Sequence, residues 1–257
     1  MTKQDGKSQP DPQNKWQNRG TIIGIAVVVV LVGYTSYTSY MYYDALDDAQ
    51  TFFADGKYRE AILAADRAIS YDDDHADAPA VKAHALFYLN KPAEAFRTIV
   101  PFAESSRATP YLLFDAAEYA YYSDTLAAAY YYIGRSLAGK DDYAPSWYLA
   151  GDIYADRRDY DSAIVCYTKS LVLKITNRAN VWVAMGNAYD NSGQLAKALE
   201  YYDKAIDYSA DYADAYYQKG IALYNAGRTG EAEIEFRRAK SLGAAGAAAY
   251  LRKMNPQ

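Results

Sequence analysis

The sequence predicts an all-α protein: a solenoid of six stacked helix pairs, closed by a capping helix and preceded by one apolar helix. Three observations lead there. Alanine recurs with a period of about 34 residues. Within each period, apolar residues fall at i, i+3, i+4 and i+7, the spacing of one helix face. A run of 24 positions without a charged residue separates Arg19 from Asp44.

The elements follow in chain order. Residues 1–19 are polar, with Pro10, Pro12 and four cations (Lys3, Lys7, Lys15 and Arg19) against Asp5 and Asp11. Such a segment buries too little surface to order itself and reads as a disordered basic tail. Residues 20–41 form the next element. Thr21 to Val32 is almost wholly apolar, and Tyr34 to Tyr43 is amphipathic and tyrosine-rich. A helix needs roughly 20 residues to cross the hydrocarbon layer, and tyrosine suits its interface. This predicts a transmembrane signal anchor, with the basic tail cytoplasmic and the rest extracytoplasmic. A cleaved signal peptide, giving a secreted protein, is the rival reading. Neither Ser36 nor Ser39 has a small residue two positions before it, as cleavage requires.

Residues 42–245 hold the repeats, starting near 42, 76, 110, 144, 179 and 213. Ala61, Ala95, Ala129, Ala163, Ala198 and Ala232 are spaced 34, 34, 34, 35 and 34. Small residues recur in phase at Ala49, Ala83, Ala117, Gly151, Gly186 and Gly220. A bulky residue follows four after the alanine at Ile99, Ile133, Tyr167, Tyr202 and Phe236. The small residues let two helices approach while the bulky one fills the gap beside them. One residue divides each unit: Gly56, Asn90, Asp124, Arg158, Gly193 and Gly227. Each unit is therefore two helices, A and B, joined by a tight turn. A fixed period of this kind means units stacked on their neighbours. Pro101 falls late in helix B of repeat two and should break or kink it. Residues 246–257 read as a cap over the last apolar face.

Trp182, Met185, Gly186, Tyr189, Ala198 and Tyr202 of repeat five carry the W, L, G, Y, A and F positions of a known pattern. Repeat four supplies Trp147, Ala150, Gly151, Tyr154, Ala163 and Tyr167. These residues resemble the tetratricopeptide repeat family. The resemblance implies a right-handed superhelix whose concave face is lined by helix A. Carried over position by position, repeat two contributes Asp77, Ala80, His84, Phe87 and Tyr88. Repeat three contributes Tyr111, Phe114, Glu118, Tyr121 and Tyr122. Repeat four adds Pro145, Tyr148, Asp152, Ala155 and Asp156; repeat five adds Asn180, Val183, Asn187, Asp190 and Asn191. Repeat six adds Asp214, Tyr217, Ile221, Tyr224 and Asn225. The groove expected to bind a peptide centres on Tyr88, Phe114, Glu118, Tyr121, Tyr122, Tyr148, Asp152, Asp156, Asn187, Asp190, Asn191, Tyr217, Tyr224 and Asn225. None of these positions is Lys or Arg, so the carboxylate-ended tails that some family members clamp are disfavoured. An aromatic, acidic groove suits an extended segment with apolar or aromatic side chains and some basic charge.

Composition narrows the function further. The 27 Lys and Arg against 32 Asp and Glu leave a charge of −5, which argues against a general nucleic-acid binder. One cysteine, Cys166, excludes an internal disulfide scaffold and a cysteine zinc cluster. Gly134 to Lys140 mimics a phosphate-binding loop, but Asp141 stands where Ser or Thr must follow, and it reads as a turn between repeats. Asp72, Asp73, Asp74, His75 and Asp77 offer ligands to a calcium-like ion but lack the EF-hand spacing. They read better as acids before a helix N-terminus. His84 and Cys166 have no catalytic partners in register. The expectation is a non-catalytic scaffold without cofactor or metal, membrane-anchored and serving cell-envelope assembly. A holdase for newly translocated chains and a cytosol-facing receptor are the alternatives.

Overall fold

The computed structural model describes the backbone of residues 12–254 and the side chains of 27, 28 and 30–254. It divides into two compact units, residues 1–98 and 99–257. Every element among the described residues is a helix.

In the first unit, α1 (Pro12–Ala54) is one continuous helix of 43 residues. Residues 1–11, the first part of the expected tail, lie outside the described residues. Helix α1 takes in residues 12–19 of that segment, and Pro12 is pre-set for a helix start, where its missing N–H costs nothing. The C-terminal part of α1 pairs with α2 (Tyr58–Tyr71), and α2 packs on α3 (Asp77–Tyr88). Tyr42, Ala45 and Leu46 are buried against Ala68 and Ala78, so the core begins at Tyr42. Val27, Val28, Val30, Leu31 and Val32 are all exposed. Among the described residues no helix is long and apolar enough to cross a membrane. The side chains of 20–26, the start of the expected anchor, are not among them.

Helix α4 (Pro92–Ala103) continues through Pro101. The expected break does not occur: the helix runs on to Phe102 and Ala103. In the second unit, α5 (Pro110–Tyr122) pairs with α6 (Leu126–Gly139) and α7 (Ala144–Asp156) with α8 (Tyr160–Val172). Next, α9 (Arg178–Asn191) pairs with α10 (Leu195–Tyr208), and α11 (Ala213–Asn225) with α12 (Thr229–Ser241). The last helix, α13 (Ala247–Met254), packs on α12. Its residues Tyr250, Leu251 and Met254 cover Leu223 and Phe236. Gly134–Gly139 lies inside α6, so it is not a turn.

The turn within each pair has a common cause. Gly56, Asn90, Asp124, Arg158, Gly193 and Gly227 all adopt positive φ, between 60° and 79°. In each, two N–H groups just past the helix bond back to its last carbonyls, as Asp124 N–H does to Tyr121 and Thr125 N–H to Ala120. This is the left-handed cap that ends a helix and reverses the chain. Lys174 is a further left-handed residue, at 61°. It falls between α8 and α9, where the repeat lengthens from 34 to 35 residues.

The contact between the helices of a pair is set by the small residue and the aromatic facing it. A Cβ on Gly151 would stand 2.3 Å from the Tyr167 ring, on Gly186 2.5 Å from Tyr202, and on Gly220 2.8 Å from Phe236. Only glycine lets these rings lie flat on the backbone. The repeating alanines 61, 95, 129, 163, 198 and 232 are fully buried.

Candidate functional site

The second unit holds a cavity of about 540 Å³ built by α5, α7, α9 and the start of α11. Its wall is written by helical spacing. Tyr148, Asp152 and Asp156 follow one another at i, i+4 and i+8 on α7, one above the other on one face. Asn180, Val183, Ala184, Asn187 and Asn191 form the matching stripe on α9. Tyr121 and Tyr122 arrive from the last turn of α5, Tyr212 from the connection just before α11, and Asp214 from the first turn of α11.

The aromatics facing the glycines also build the site. The Tyr167 ring lies against Gly151, and its hydroxyl donates to Asp152 Oδ1 at 2.7 Å. Tyr202, against Gly186, donates to Asn187 Oδ1 at 2.8 Å. In repeat six the residue after Gly220 is apolar Ile221, and the facing aromatic is Phe236, which has no hydroxyl. The hydroxyl is present where the neighbour can accept it. Tyr212 donates to Asn180 Oδ1. Asn180 and Asn187 of the cavity therefore have Oδ1 engaged, which leaves their Nδ2 groups as donors.

The electrostatics are one-sided. Asp152, Asp156 and Asp214 line the cavity, and no Lys, Arg or His does. Burial pushes the Asp152 carboxyl up to about 7; the Tyr167 hydrogen bond opposes the shift and the Asp156 charge adds to it. The Tyr148 phenol is held above its ordinary value by burial and then by Asp152. Tyr121 is raised by burial and by its hydrogen bond to Asp156. No ion pair among the described residues reaches these three carboxylates. Elsewhere the fold does pair acids, as Lys219 pairs with Asp203 and Glu235, both at 2.8 Å.

Of the residues expected in the groove, Tyr121, Tyr122, Tyr148, Asp152, Asp156, Asn187 and Asn191 line this cavity. Phe114 packs edge-on to Tyr143, with centroids 5.4 Å apart, and half-buried Glu118 stands further along α5. Asp190 is half-buried and does not line the cavity. Tyr217 and Tyr224 meet Tyr250 of α13, at 6.0 and 5.6 Å, because the cap occupies the place of a seventh helix A. Asn225 is exposed at the end of α11. Tyr88 belongs to the first unit, stacked 5.1 Å from Tyr58. Sequence reasoning missed Tyr167 and Tyr212. The tyrosine hydroxyl at position 167, where repeat six has phenylalanine, was the available signal for the first.

The other candidates are accounted for locally. Asp72 accepts from Asp74 N–H at 3.0 Å and faces His75 at 3.6 Å, and no described group of acids, His or Cys could hold a metal. His84 Nδ1 lies 2.8 Å from the Ala80 carbonyl. Burial raises the Cys166 thiol to about 11, which leaves it unreactive.

Residues 144–174 and 183–253 match the tetratricopeptide repeat family. An uncharacterized protein of Methanocaldococcus jannaschii is 40% identical over 55 residues, 21% of this chain and 64% of that one. The chain thus spans less than two thirds of that relative. The crystal structure of the APC/C hetero-tetramer Cut9–Hcn1 is similar over 86% of this chain and 46% of its own, at 15% identity and a TM-score of 0.69. YrrB, a TPR protein whose crystal structure shows an unusual peptide-binding site, is similar over 66% of this chain and 88% of its own. Its identity is 18% and its TM-score 0.58. The structural likenesses show the fold. Residues 144–174 and 183–253 thus carry tetratricopeptide repeats, a scaffold-type protein-interaction fold.

Proposed function

We propose that this protein is a non-catalytic, membrane-anchored scaffold that holds an extended polypeptide segment in the α5–α7–α9–α11 cavity. The observation that carries the reading is the composition of that wall. Tyrosine rings offer broad contact at little entropic cost, and the asparagine Nδ2 groups offer donors to a peptide backbone. Nothing in the wall is arranged as a nucleophile with its base. YrrB, a protein of the same fold, has a peptide-binding site.

The anchor rests on the sequence and on α1. Uncharged residues run from Gly20 to Tyr43, and the described valines of that segment are all exposed. Lipid would cover that surface. Its basic flank favours a cytoplasmic N-terminus and extracytoplasmic repeats, where envelope assembly is the fitting role.

A photo-crosslinking residue at Tyr122, which is exposed on the cavity rim, tests the binding surface. Adducts with another polypeptide are expected from position 122 and not from Tyr208 on α10, also exposed but outside the wall. Equal adducts from both would refute the cavity as the surface. A reporter fused after Gln257 that is active only in the cytoplasm would refute the orientation.

A further inference from the structure

We infer that the cavity selects its partner by one basic side chain: a Lys or Arg of an extended segment enters it and places its cation at Asp152. This rests on the peptide-binding reading and names the chemistry that reading leaves open.

The argument starts from a missing countercharge. Asp152 is held by the hydroxyl of Tyr167, a neutral donor, and has no cationic partner. Asp156 and Asp214 stand in the same wall, equally without one. Gathering three carboxylates around a partly dewatered space costs free energy that the fold does not recover internally. Burial first, and then the Asp156 charge, push the Asp152 carboxyl up to about 7 against the hydrogen bond from Tyr167. A cation entering from outside supplies the absent charge, and the Tyr148 ring beside Asp152 gives its stem and charge an aromatic wall. The neighbouring Asn180 and Asn187 have their oxygens engaged by tyrosines, so they present donors. Donors match the carbonyls of a main chain, and carboxylates match a basic side chain. A peptide residue carries both.

The same geometry sets a pH dependence. Every titratable group facing Asp152 is a phenol or an acid. Tyr148 and Asp156 stand beside it on α7, Tyr121 and Tyr122 face it from α5, and Tyr167 from α8. Tyr212 and Asp214 complete the ring, and α9 contributes only uncharged residues. Below neutrality Asp152 takes up a proton and the cation loses its partner.

The test uses the full chain in lipid nanodiscs and a display library of random hexapeptides. Enriched peptides are expected to share a Lys or Arg. Replacing that residue by norleucine, which keeps the stem and removes the charge, should weaken binding by about tenfold. Asp152→Asn should weaken the basic peptide by a similar factor and leave the norleucine peptide unchanged. Asn keeps an acceptor for Tyr167, so the fold survives. Wild-type affinity should fall by about tenfold from pH 8 to pH 6, as the ionised fraction of a group titrating near 7 does, and the Asp152→Asn variant should not follow. Enriched peptides without basic residues, or norleucine peptides bound as tightly, would overturn the inference and leave the groove reading standing. No enrichment at all would overturn both.

Discussion

Asp152 is the residue where stability and function pull apart. Its carboxyl is pushed upward in the folded protein and is ordinary in the unfolded chain. The folded state therefore binds the proton more tightly, and stability falls as pH rises from about 4 to about 7. Asp152→Asn should raise stability at pH 8 by at least about 1 kcal/mol and change little at pH 3, where the carboxyl is protonated in both states. Thermal unfolding at the two pH values checks this. A residue kept only for the fold would not be more stable when neutralised. Tyr167→Phe removes the donor to Asp152 and should cost about 1 kcal/mol, measured by denaturant unfolding. The turn residue Arg158 pays for its left-handed backbone. Arg158→Gly should stabilise by about 0.5–1 kcal/mol, because glycine alone meets no Cβ clash at φ 62°.

The paired helix is the unit of construction, and its weak point is the ring against the backbone. Gly151→Ala and Gly186→Ala would each drive a methyl into a tyrosine ring that has no room to withdraw. Overpacking of this kind costs about 1–3 kcal/mol, which the midpoint of urea unfolding would report. Gly134→Ala, on the open face of α6, meets nothing within 4 Å and should stabilise slightly. The contrast between Gly134 and the two packed glycines separates packing from propensity. The cap α13 shows the same logic at the chain end. Tyr250 stacks on Phe236 at 4.7 Å, so removing residues 247–257 should expose the last pair and lower its cooperativity of unfolding.

For the whole molecule, the uncharged segment proposed as an anchor and the repeats are separable in the sequence but joined by one helix. Tyr42 is buried in the first unit, so a chain truncated for solubility should start no later than Met41. Such a chain is expected to leave the membrane fraction at alkaline pH while the full chain stays in it. Loss of the full chain from that fraction would show that α1 does not hold it there. The absence of positive groups from the cavity predicts that added salt weakens capture of basic peptides, since the attraction is Coulombic and partly solvated.

The linear sequence determined the helix pairs, their period, their turns and their close contacts. All of these are local or nearest-neighbour relations: a left-handed residue every unit, a small residue facing an aromatic sixteen positions on, an apolar stripe at helical spacing. Arg158 and Asp124 were legible as turns because the period demanded one there. What only the tertiary structure decided was which groove positions share a space. Tyr217 and Tyr224 occupy the same repeat positions as residues that line the cavity, yet α13 covers them. Tyr212 enters from a connection between repeats, where no periodic rule applies. The missing cation at Asp152 is likewise invisible in one dimension, because charge balance depends on distance through space, and residues 121, 152 and 214 become neighbours only when the helices stack.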